Sequence, residues 1–175
     1  MPAFRNKMWD GKIRLFDLRT HALYAGLYAH LQHFAEERGY TIEGDNLAKL
    51  EKVCQSDVLE FCTKELDLPF PPYDYQIQAA TIALQNKRKM LLSPTGSGKS
   101  LIIYIMMRMY LTQKHKRVLI IVPTTSLVEQ LSSDFMNYGQ NDGAFSDKWI
   151  HKIYSGKEKD PISPIVVTTW QSIYK

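Results

Sequence analysis

The chain has 175 residues, of which 45% are hydrophobic and 23% charged, a composition that predicts globular protein and excludes a disordered chain. Its longest apolar run, Leu101–Met107, stops at Arg108, well short of the roughly 18 residues of a membrane span, and Met1–Lys7 lacks a signal-peptide core, so a cytoplasmic protein without a membrane partner is expected. The net charge of +4 is uneven, basic over residues 1–20, acidic over 36–67 and basic again over 68–175, which points to polyanion contacts at particular faces.

In chain order, Asp10-Gly11 lies between Lys7-Met8-Trp9 and Lys12–Phe16, a two-residue hairpin signal. Ile13 and Leu15 are expected to face a core, with Lys12 and Arg14 on the other side. Leu23–Arg38 reads as a helix stopped by Gly39. Two short helices follow over Asn46–Val53 and Ser56–Leu66, the second capped by Ser56. His30 and His33 sit at helical spacing without a ligand pattern around them, and no metal is assigned. Cys54 and Cys62 read as free thiols in a reducing compartment. Pro69, Pro71 and Pro72 forbid helix and mark a linker. The expected organisation is a small α+β segment over 1–67, a linker over 68–72 and an α/β domain over 73–175.

The second part alternates helices and strands. Tyr73–Leu84 reads as a helix, Arg88–Leu92 as a short buried strand, and Leu101–Leu111 as the next helix. Arg117–Val122 is a β-branched run expected to be buried on both faces of a parallel sheet. Ser126–Tyr138 is a helix, Ile150–Tyr154 an alternating strand and Ile165–Thr168 a buried one. Such alternation predicts an open α/β sheet.

Between the expected strand and helix stands Ser93-Pro94-Thr95-Gly96-Ser97-Gly98-Lys99-Ser100, a phosphate-binding loop. Its backbone must curl around a triphosphate, and Gly96 and Gly98 permit the φ angles that this needs. Lys99 supplies a point charge for the β/γ-phosphates, and the Ser100 hydroxyl suits Mg²⁺. The helix that follows aims its N-terminal dipole at the phosphates. Ser93 stands where the pattern usually opens with glycine. ATP and Mg²⁺ are the expected cofactors.

In open α/β sheets, ligands bind beyond the carboxyl ends of the strands. Pro123-Thr124-Thr125-Ser126 and Thr169-Trp170-Gln171 emerge there beside the phosphate loop. The hydroxyls of Thr124, Thr125 and Ser126 fit a nucleic-acid phosphate at a helix N-terminus, or serve as no more than an N-cap.

These segments together resemble the superfamily 2 helicases. Tyr73-Asp74-Tyr75-Gln76 is similar to their Q-motif element, and Ser93–Ser100 to their motif I. Val122–Leu127 with Gln130 is similar to motif Ia, and Val167–Ser172 to the next DNA-contacting motif, in matching order and spacing. Residues 4–15 resemble the end of the small DNA-binding domain of phage recombination helicases. The resemblance implies a partial RecA-like P-loop domain in which Gln76 reads the adenine edge and Tyr73 or Tyr75 packs on the base or in the core. It implies that Pro94, Thr95, Gly96, Ser97 and Gly98 wrap the nucleotide beside Lys99 and Ser100. Pro123, Thr124, Thr125 and Thr169 would contact DNA, with Trp170 either a core or a DNA-facing aromatic. Arg5, Lys7, Lys12 and Arg14 would add duplex contacts.

The implied activity is that of an ATP-dependent translocase on single-stranded or branched DNA in recombination and repair. A non-catalytic ATP- and DNA-binding module is the alternative, and a P-loop kinase leaves the other motifs unexplained. No Asp-Glu-x-His box and no second RecA-like domain occur in the chain, so the expectation is an incomplete helicase that binds ATP without sustained hydrolysis.

Overall fold

The computed structural model describes residues 10–43, 53–86, 88–112, 117–154 and 162–174. Two compact units are present, Met1–Lys49 and Leu50–Lys175.

In the first unit, β1 (Phe16–Asp17) pairs antiparallel with β2 (Ala22–Leu23), Phe16 opposite Leu23. The turn between them is organised by Asp17, whose carboxylate accepts the N–H groups of Arg19 and Thr20 at 2.8 and 3.3 Å. The hairpin therefore lies downstream of Asp10-Gly11. Gly11 takes φ 76° and Asp10 accepts the Lys12 N–H at 3.0 Å, so that dipeptide does turn the chain. Lys12–Leu15 forms no strand, Ile13 is 79% exposed and Leu15 is exposed. The core expected for them is missing because Ala35 is the only buried residue among those described in this unit. Residues 7–9 of the expected hairpin and the helix expected from Asn46 lie outside the described residues. A 3₁₀ turn (Ala25–Leu27) leads into α1 (Tyr28–Arg38). It ends as its glycine predicts: Gly39 is left-handed at φ 66°, and the Tyr40 N–H reaches back to the Ala35 carbonyl at 2.9 Å.

The second unit opens with α2 (Gln55–Glu60), which continues as a π-helical turn over Phe61–Glu65. Its cap is Cys54, not Ser56; the Asp57 carboxylate accepts the Cys54 N–H at 2.8 Å. Val58, Phe61, Cys62 and Leu66 are buried in one cluster with Ile77 and Ala80 of α3 (Asp74–Gln85). Burial pushes the Cys62 thiol up to about 12, which leaves it an inert core residue. The expected boundary at the prolines is thereby moved. Residues 53–66 share one apolar cluster with α3 and α4 (Lys99–Thr112), so the proline segment joins two pieces of one packed unit.

Among the described residues the sheet of this unit has three parallel strands in the order β3 (Val118–Val122), β5 (Ile165–Thr169), β4 (Ile150–Ile153). β5 is central and buried at every position. β3 lies at the edge and alternates: Leu119 and Ile121 are more than half exposed, while Val118, Ile120 and Val122 pack on the core. Burial on both faces was expected of β3, but that property belongs to β5, which has a strand on each side. Arg88–Leu92 forms no strand either, and Leu92 is 91% exposed; among the described residues no strand pairs with it. The helix α5 (Thr125–Tyr138) buries Val128, Leu131 and Phe135, and α6 (Trp170–Ile173) closes the unit.

Candidate functional site

The loop before α4 has the backbone that its glycines predict. Gly96 and Gly98 sit at φ 80° and 70°, a region that costs an L-residue roughly 1–2 kcal/mol. A Cβ added at Gly98 would stand 2.3 Å from Gln76 Nε2, whereas at Gly96 it would meet open space. Gly96 thus answers to φ alone and Gly98 to φ and close packing together. The first amides bonded at the start of α4 are those of Leu101 and Ile102, both on the Gly98 carbonyl. The N–H groups ahead of them open the helix toward the loop.

Side chains hold the loop in shape. The Lys99 ammonium donates to the carbonyls of Pro94 at 2.7 Å and Ser93 at 3.4 Å, so its charge lies across the loop. Ser93 and Ser97 share a hydroxyl–hydroxyl hydrogen bond, and Ser97 also donates to the Pro94 carbonyl at 2.8 Å. Ser93 therefore contributes a side-chain contact that glycine at this position would lack. A cleft of about 920 Å³ opens beside the loop, lined by Tyr75, Pro94, Gly96 and Lys99 and by the apolar Ala79 and Met106.

Gln76 occupies a different place from the one expected of a base-reading residue. It is buried, its Oε1 accepts the Tyr73 N–H at 2.9 Å, and its Nε2 donates to the Ser97 carbonyl at 3.2 Å. It ties the first turn of α3 to the phosphate loop. Tyr75 supports the same carbonyl through its hydroxyl at 3.1 Å. Tyr73 and Tyr75 stack with centroids 5.6 Å apart and planes 13° from parallel, and both rings are exposed. Core packing, one of the two alternatives for them, is therefore not their position.

Ser100, the expected Mg²⁺ ligand, shares a hydrogen bond of 2.8 Å with the Tyr138 hydroxyl at the end of α5. Tyr138 was not singled out in the sequence, although it continues the helical stripe of Val128, Leu131 and Phe135. Its ring meets Phe70 edge-on at 5.9 Å and Tyr104 at 5.6 Å. Beneath lies Arg108, buried, bonded to the Tyr104 hydroxyl at 2.8 Å and to Asp142 at 2.5 Å, with Phe145 and Trp149 around its guanidinium.

At the carboxyl edge of the sheet, Val122 is level with Thr169, which brings Pro123–Thr125 beside Trp170. Pro123, Thr124 and Thr125 are exposed, and Thr124 caps α5 by accepting the Leu127 N–H at 3.3 Å. Thr169 is buried and its hydroxyl bonds Ser172 at 2.9 Å, so Trp170, 57% exposed at the start of α6, is the available group at that end of β5. Of the basic residues expected at nucleic acid, Lys12 and Arg14 are exposed, and Arg14 pairs with Asp10 at 2.5 Å. Arg5 and Lys7 lie outside the described residues.

A parallel sheet flanked by helices, with a glycine loop opening one helix, defines part of a RecA-like P-loop domain. Residues 69–175 match the family described as "Type III restriction enzyme, res subunit", and the chain belongs to that family. It is 36% identical over 184 residues to the ATP-dependent DNA helicase uvsW of Enterobacteria phage T4, a match covering 99% of this chain and 36% of that protein. The crystal structure of T4 UvsW superposes with a TM-score of 0.84 at 35% identity, covering all of this chain and 36% of that one. A probable ATP-dependent RNA helicase of Bos taurus, DDX52, is 36% identical over 84 residues, 46% of this chain and 14% of that protein. The helicase resemblance read from the motifs is borne out. This chain spans about a third of the length of the phage relative.

Proposed function

We propose that this chain is the nucleotide-binding portion of an ATP-dependent DNA helicase. The observation that carries this reading is the phosphate loop: two glycines at positive φ, an ammonium laid across the loop and a hydroxyl at the opening of α4, all on a helicase-family fold. The donor set fits Mg·ATP. The amides and Lys99 are cationic or N–H donors suited to phosphate oxygens, and Ser100 is a hard oxygen ligand suited to Mg²⁺. On binding, Lys99 exchanges its two carbonyl partners for phosphate oxygens. Gln76 braces the loop from behind, and the Tyr73–Tyr75 stack offers the base a flat surface. The bound cation neutralises phosphate charge; the chain's own part is to orient the triphosphate.

The exposed edge of Pro123, Thr124, Thr125 and Trp170 is proposed to track a DNA backbone, with Lys12 and Arg14 contributing at duplex or branched DNA. DNA is preferred to RNA because the relative that spans nearly the whole chain is a DNA helicase, whereas the RNA helicase relative matches under half of it.

Titration with a fluorescent ATP analogue and Mg²⁺ tests the nucleotide reading. Wild type is expected to bind, and Lys99→Ala to weaken binding by at least tenfold, since it deletes a charge-assisted contact to phosphate. Equal affinities would remove Lys99 from the site.

A further inference from the structure

The hydrogen bond between Ser100 and Tyr138 joins residues 38 positions apart. Ser100 opens α4, and Tyr138 closes α5, the helix whose first residues form the proposed DNA edge. The phenol is held on two sides, by Phe70 edge-on and by Tyr104. Tyr104 is itself fully buried and anchored through its hydroxyl to Arg108. The Tyr138 hydroxyl therefore projects from a fixed wall of rings, while the serine that it meets has a single side-chain torsion to select.

We infer that Tyr138 is a positioning residue that holds the Ser100 hydroxyl ready for the metal of Mg·ATP. The inference rests on the nucleotide reading above. A serine hydroxyl has one proton and two lone pairs, so whichever group donates, at least one lone pair stays available to a cation. Fixing the hydroxyl before the ligand arrives removes part of the ordering cost of binding. A hydrogen bond serving only to join two helices would have no reason to depend on metal.

The test uses the full chain and the variants Tyr138→Phe, Ser100→Ala and their combination, titrated with a fluorescent ATP analogue in Mg²⁺ and in EDTA. Tyr138→Phe keeps the ring that packs on Phe70 and Tyr104 and removes only the hydroxyl. It is expected to weaken Mg·ATP binding about two- to tenfold, the range of one neutral hydrogen bond. Affinity in EDTA should be unchanged, the ligand-free melting temperature should fall by no more than one lost hydrogen bond costs, and no further loss of Mg·ATP affinity should appear in the Ser100→Ala background. The inference fails if Tyr138→Phe binds Mg·ATP like wild type, if it loses as much in EDTA, or if its loss persists without the serine hydroxyl. A wild type that binds no nucleotide would overturn the nucleotide reading itself and this inference with it, whereas a Ser100→Ala that binds Mg·ATP as wild type does would take the serine off the metal and overturn this inference alone.

Discussion

Gly98 is where sequence, backbone and neighbouring helix meet in one atom. Its φ of 70° already disfavours any side chain, and the missing Cβ is the space that Gln76 uses to reach the Ser97 carbonyl. A flexible glutamine could ordinarily move aside, but this one is held at its other end by the Tyr73 N–H. Gly98→Ala is therefore expected to break the Gln76–Ser97 contact and to lower ATP affinity about tenfold or more, the sum of backbone strain and a lost hydrogen bond. Gly96→Ala carries the strain without the collision and should lose less. Titrating both variants against wild type checks the order, and equal losses would mean that Gln76 yields freely. The glycines were legible because a phosphate loop requires them. The brace was not, because Gln76 and Ser97 lie 21 positions apart and nothing local to either announces the other.

Between elements, α4 and α5 are joined by one buried charge. Arg108 interrupts the apolar run of α4, which at the level of sequence excludes a membrane span and says nothing more. In the fold it pairs with Asp142 just beyond α5, both side chains about nine-tenths buried. Burial works to raise the Asp142 pKa, and the hydrogen bonds from the Arg108 guanidinium and the Ala144 N–H outweigh it, leaving the carboxyl below its ordinary value. A depressed folded pKa stabilises the fold above the unfolded value near 4, and that contribution is lost as pH falls through the folded one. Asp142→Asn should cost about 3 kcal/mol at neutral pH by leaving the Arg108 charge unpaired. It should also show a smaller further loss below about pH 4 than wild type. Chemical denaturation at pH 7 and pH 3 measures both. Identical pH profiles would show that the pair does not titrate with folding. Helix positions were readable from periodicity throughout this region, whereas the strand expected over Arg88–Leu92 and the two-sided burial expected of β3 were not realised. Strand burial depends on which strand lies alongside, and apolar content alone cannot supply a neighbour.

For the whole molecule, binding and turnover separate. The loop, its lysine and its serine are present within the chain, and the phage relative that matches nearly all of it is an ATP-dependent DNA helicase. Hydrolysis needs more: an acid to hold the metal with the serine, a group to orient water and a cation for the developing charge, this last alone worth about 10³–10⁵ in rate. No Asp-Glu pair occurs anywhere in the 175 residues, and the chain spans 36% of the phage relative. The 175-residue polypeptide is therefore expected to bind ATP and DNA while turning over nucleotide no faster than its Lys99→Ala variant. Its DNA affinity should fall steeply between 50 and 200 mM salt and be alike for unrelated sequences, because threonines, lysines and arginines address phosphates and not base edges. Steady-state phosphate release with and without DNA, beside DNA binding at two salt concentrations, tests the pair. Turnover that DNA stimulates and Lys99→Ala abolishes would show that residues already in this chain complete the catalytic set, and salt-insensitive or sequence-selective binding would remove the backbone contacts proposed for the Pro123–Thr125 edge.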